Sequence, residues 1–139
     1  MDNRRYLLKK RRNSYRTSRN LIFSFKYAIS GLNYCIKYER NFKIQLFLGI
    51  LSVCLSLFLH FTTIENIILF ATIFSVLILE LLNTSIENIV DLLVDQKFSQ
   101  LAKIAKDSAA GAVFLASINS IFVALYLFVP KIKLLFINL

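Results

Sequence analysis

Along residues 20–40 the apolar positions Leu21, Phe25, Ala28, Ile29, Leu32 and Ile36 recur at helical spacing. Ser24, Lys26, Ser30, Asn33, Lys37 and Arg40 fill much of the remainder. One oily stripe on a polar cylinder predicts an amphipathic helix suited to lying in a membrane interface. Beyond Lys43 the stripe gives way to continuous apolar runs. Residues 44–61 are interrupted by Gln45, small residues and His60, and residues 67–79 are wholly apolar or small. Residues 109–129 contain Asn119 as their strongly polar member, and Pro130 is expected to end that run. About 20 residues at 1.5 Å each cross a hydrocarbon core. The pattern therefore predicts an all-α integral membrane fold: an interfacial helix over about 20–40 and spans over about 43–61, 64–82 and 109–129.

Composition supports that reading. Of the 139 residues 57% are hydrophobic and 18% charged, with mean hydropathy +0.62, against about 45–50% and roughly 25% in soluble domains. A chain this short has too little interior to hide so much apolar surface, so a soluble globule is excluded and one domain is expected, over residues 20–139. Cys35 and Cys54 sit in apolar surroundings without metal-ligand spacing, so no disulfide framework is expected.

The net charge of +9 is unevenly placed. Residues 1–19 carry Arg4, Arg5, Lys9, Lys10, Arg11, Arg12, Arg16 and Arg19 against the single acid Asp2. Such a block reads as a disordered basic arm, either drawn to anionic lipid headgroups or fixing topology; nucleic acid is not an expected partner. Leu21–Phe25 is too short for a signal-peptide core, so none is expected. Twelve Lys and Arg precede the first span and Lys97, Lys103 and Lys106 separate the second from the third, whereas Lys131 and Lys133 follow the last. The positive-inside rule then places the N-terminus on the cytoplasmic side, or the stromal side of a plastid membrane, and the C-terminus opposite. A composition heavy in Ile, Asn, Lys and Phe points to an AT-rich genome, bacterial or organellar.

Ionisable groups inside a bilayer are costly and usually functional. Glu80, Asn83, Glu87 and Asp91 fall within an arc of about 80°, forming one polar stripe that leaves the membrane along an oily helix. Glu80 and Glu87 are about 10.5 Å apart along the axis. The inner carboxylate suits a general base acting on an alcohol, and the outer one suits Mg²⁺, which prefers oxygen ligands and retains waters. Asp91 alone reads as a solvated acid at a helix end. Glu39, in Tyr38-Glu39-Arg40-Asn41-Phe42, alone reads as a solvated acid paired with Arg40 or Lys43. Lys103 reads as an anchor, and Lys106 with Asp107 stands on a helix entering the third span, where ammonium groups suit phosphate chemistry. The glycines Gly31, Gly49 and Gly111 are scattered, which excludes a Gly-rich phosphate loop.

These blocks resemble a known family. Glu80-Leu-Leu-Asn83-Thr-Ser-Ile-Glu87-Asn-Ile-Val-Asp91 is similar to the signature of the small prokaryotic membrane lipid kinases that act on diacylglycerol or undecaprenol. Leu101-Ala-Lys-Ile-Ala-Lys106-Asp107-Ser-Ala-Ala-Gly-Ala-Val and Tyr38-Glu39-Arg-Asn-Phe42 resemble two further blocks, and the likeness covers roughly residues 20–133. It implies a homotrimer with sites shared between subunits, transferring phosphate from ATP to a lipid alcohol. By position it implies Glu80 as catalytic base and acceptor contact, and Glu39 and Glu87 as Mg²⁺ ligands. Tyr27, Glu39, Asn83, Glu87, Lys106 and Asp107 would contact ATP. A shared site also follows if one subunit's stripe faces away from its own interfacial helix. The sequence departs from relatives at Asn20, where many carry Arg, and at Asp95-Gln96-Lys97-Phe98, where bacterial diacylglycerol kinases carry a His. The competing readings are acceptor identity, diacylglycerol or undecaprenol, and a catalytically degenerate membrane adaptor that binds anionic lipid through its arm. The intact acidic set argues against the adaptor.

Overall fold

The computed structural model describes residues 21–95 and 97–137; the basic arm expected over residues 1–19 lies outside them. The described residues form four helices, α1 (Leu21–Tyr38), α2 (Arg40–Phe58), α3 (Thr63–Val94) and α4 (Gln100–Ile137). The last three are long and apolar enough to cross a membrane. The regular structure of the described residues is thus all helical, as the hydrophobic periodicity predicts.

Three boundaries differ from expectation. A single residue, Glu39, separates α1 from α2: its backbone is extended (φ −90°, ψ 115°), so α2 begins at Arg40 and ends at Phe58, about three residues earlier than its apolar run. The Lys43 ammonium donates to the Lys37 carbonyl at 3.2 Å, covering an open acceptor at the end of α1. α3 continues to Val94, twelve residues past the expected end, and at 32 residues is about 48 Å long, well beyond a ~30 Å hydrocarbon core. Hydropathy marks the stretch the hydrocarbon needs, whereas helical hydrogen bonding runs on through polar helix formers. The expected stop at Pro130 is also corrected, because α4 carries Pro130 inside it and continues to Ile137. A proline removes only its own N–H from the helical ladder, and the bonds of the flanking turns carry α4 past it.

The turn between α2 and α3 is closely tied. His60 takes a left-handed backbone (φ 51°), and the amides of His60 and Phe61 donate to Leu57 and Ser56, the pattern of a Schellman cap. Thr62 and Glu65 then form a reciprocal capping box that starts α3. Lys131 of α4 pairs with Glu65 at 3.0 Å, and Phe128 packs on Phe61 with ring centres 4.8 Å apart. Leu69 and Leu127 complete this small core, so α3 and α4 are clamped at this end. α3 packs mainly along α4, less with α2, and least with α1.

Candidate functional site

At the other end the polar stripe of α3 meets the junction of α1 and α2. Glu80 lies about 26 Å along α3 from its start, close to the length of a hydrocarbon core, and is 2% exposed. Its Oε2 accepts a hydrogen bond from Gln45 Nε2 of α2 at 3.4 Å. Asn41, one turn earlier on the same face of α2, lies within reach of the same carboxylate. The charges of Glu87 and Glu39 both act on it. Among the described residues no cation pairs with Glu80; its partners are neutral amides.

Asn83 and Thr84 are also buried. Asn83 donates to Glu87 Oε1 at 3.0 Å, orienting that carboxylate along the stripe. Two buried oxygens, Asn83 Oδ1 and Gln45 Oε1, have no hydrogen-bond partner, a cost of about 1–3 kcal/mol each in a closed interior. Unpaired acceptors flanking a buried carboxylate mark a place built for something other than packing.

α1 closes the site from the side. Its single buried residue, Cys35, sits against Thr84, with Glu39 and Glu80 close by. Burial pushes the Cys35 thiol up from its ordinary value, the Glu39 and Glu80 charges add to that, and the Thr84 contact offsets part of it. The stripe of α3 thus meets its own interfacial helix at Cys35. The one-residue break at Glu39 lets the last turn of α1 fold against α3, so the charges of Glu39 and Glu87 both reach Glu80 within one chain. Glu39 makes no capping bond with the helix it starts, leaving its carboxylate free of that duty.

The remaining expected residues lie further out. Lys106 of α4 donates to both oxygens of Asp91, at 2.9 and 3.1 Å, within reach of the Glu87 charge. Asp91 is thereby the partner of an expected phosphate contact, not a free helix-end acid. Lys106 and Asp107 line a cleft of about 470 Å³ between the end of α3 and the start of α4, together with Asp91, Lys97, Phe98 and Lys103. Tyr27 is about half exposed on α1. Sequence reasoning passed over Gln45, Asn41 and Cys35. For Gln45 a signal existed, since it is a strongly polar interruption of an apolar run.

Among the described residues no three His, Cys, Asp or Glu side chains converge into a cage that would by itself hold a metal ion. A pair of carboxylates is the more relevant donor set for Mg²⁺, which is usually held by one or two carboxylates plus substrate phosphates. Glu39, with no capping bond, and Glu87, anchored through one oxygen, are the carboxylates that would supply such donors.

Oily helices carrying a buried carboxylate at their aqueous end, beside a cleft lined with lysines, define a class: a membrane protein that brings charged chemistry to the bilayer surface. Residues 26–128 match the model of the prokaryotic diacylglycerol kinase family. A diacylglycerol kinase of Synechocystis is 43% identical over 88% of this chain and 70% of its own length. An undecaprenol kinase of Bacillus subtilis is 38% identical over 85% of this chain and 96% of its own length. A diacylglycerol kinase of Haemophilus influenzae is 36% identical over 70% and 81% respectively. The chain belongs to the prokaryotic diacylglycerol kinase family of membrane lipid kinases.

Proposed function

We propose that this protein transfers the γ-phosphoryl group of ATP, with Mg²⁺, to the hydroxyl of a membrane lipid alcohol. The observation that carries this reading is Glu80: a buried carboxylate at membrane depth, held by neutral amides, with carboxylates suited to Mg·ATP on its aqueous side. In this reading Glu80 takes the proton of the acceptor hydroxyl as its oxygen bonds to the γ-phosphorus, the bond to the ADP oxygen breaks, and Glu80 later loses its proton to water. Glu39 and Glu87 would hold Mg²⁺, which when bound neutralises phosphate charge. Asn83 fixes Glu87, and Lys106 with Asp107, at the cleft, contact the nucleotide. Tyr27 is assigned a nucleotide contact from family position alone. Diacylglycerol is the first acceptor reading, favoured by the 43% relative. Undecaprenol is the second, favoured by the Bacillus relative, nearly all of whose length this chain matches.

The same reading makes the chain a three-span protein of a bacterial plasma membrane or a plastid membrane. Its N-terminus is cytoplasmic or stromal, α1 lies in the interface, and the basic arm rests on anionic headgroups. A homotrimer completes it, as the family resemblance implies. The test is purified protein in detergent with Mg·ATP and each lipid alcohol in turn. Phosphorylation of one of them is expected, with kcat falling by about 10²-fold or more in Glu80→Gln and ATP affinity little changed. No phosphorylated lipid, or near-native kcat in Glu80→Gln, overturns the reading.

A further inference from the structure

Gln45 is a strongly polar residue at membrane depth whose presence packing does not explain. Its Nε2 reaches the Glu80 carboxylate, and its Oε1 is buried without a partner. A Leu or Met would fill the same space without leaving an oxygen unpaired, so the carboxamide is retained for what its N–H does. The surroundings indicate what that is. Gln45 lies at one end of a groove of about 340 Å³ between α2, α3 and α4. The hydroxyls of Ser52, Thr72, Ser117 and Ser120 line this groove, but each donates to a carbonyl of its own helix at 2.7–2.9 Å. The groove wall therefore presents satisfied side chains, and Gln45 is where it meets the carboxylate. A neutral amide donor can hold a carboxylate in one orientation without pairing it to a cation, which would blunt it as a base.

We infer that Gln45 is a positioning residue for lipid phosphorylation: its carboxamide fixes the orientation of the Glu80 carboxylate toward an acceptor arriving from the membrane. The inference rests on the reading of Glu80 as the base. Misplacing a reacting group by about 1 Å can cost 10²-fold. Gln45→Leu and Gln45→Met, which keep the volume, should therefore each lower kcat by about tenfold to a hundredfold, with the KM for Mg·ATP within about twofold of native. The same Gln45→Leu change placed on Glu80→Gln should cost nothing further, because the group it positions is no longer a base. Native kcat in both Gln45 variants, or an equal loss in both backgrounds, overturns the inference while leaving the lipid kinase reading intact. Near-native kcat in Glu80→Gln overturns the assignment of the base, and the inference with it.

Discussion

At the scale of single residues, the site holds carboxylates close to Glu80, which pairs with no cation among the described residues. Cys35 is a built-in reporter of that arrangement, because burial and the nearby Glu39 and Glu80 carboxylates all disfavour its thiolate. Thiolate is the reactive form. Cys35 should therefore react with a small thiol reagent more slowly at pH 8 than a free cysteine, and faster as pH rises. Glu39→Gln removes one of the charges that push the thiol up, so labelling at pH 8 should speed up by a few-fold. Mass spectrometry distinguishes Cys35 from Cys54 and reads both rates. An unchanged rate in Glu39→Gln would mean that Glu39 does not sit where this structure has it.

At the scale of helices, the approach of α2 to α3 sets whether Gln45 can touch Glu80. Gly49, one turn deeper than Gln45, makes that approach possible: a Cβ there would lie 2.9 Å from Cγ2 of Ile73. That methyl is the short, stiff branch of a β-branched side chain and cannot swing aside. Gly49→Ala gains about 1 kcal/mol of helix propensity but meets an overpacking penalty of about 1–3 kcal/mol. We expect lower thermal stability in detergent and reduced kcat, both recovered when Ile73→Ala removes the obstructing branch. A Gly49→Ala protein of native stability and turnover would show that α2 has room to spare. At the opposite end α3 and α4 are clamped through Glu65 and Lys131, and Phe61 of the α2–α3 turn packs on Phe128.

At the scale of the molecule, the acidic cluster is assembled within one chain. Glu39 comes from the α1–α2 junction, and Glu80 and Glu87 come from α3. In an oligomer mixed from Glu39→Gln and Glu80→Gln subunits, no subunit carries the full set. A working site built from one chain's cluster gives no recovery of activity from that pair, and a site shared between subunits gives partial recovery. Co-purified, well-mixed assemblies assayed with Mg·ATP and the lipid acceptor provide the measurement. Substantial recovery would place Glu39 and Glu80 of a working site on different subunits.

Much of this was legible along the chain. Long apolar runs have few options in a bilayer, so three span-length helices and the all-helical class follow from hydropathy, and helical spacing alone puts Glu80, Asn83 and Glu87 on one face. Helix ends were less legible, because hydrogen bonding continues past the apolar stretch in α3 and through Pro130 in α4. Which residues meet across helices was not legible at all. Glu39 reads as an ordinary solvated acid, Asp91 as a helix-end acid, and Gln45 as an interruption, since contacts between residues tens of positions apart leave no periodic trace. The sequence by itself determined that oily helices carry a polar stripe out of the membrane. Only tertiary packing, through the one-residue break at Glu39 and the close approach at Gly49, decided that Gln45 and Glu39 converge on Glu80.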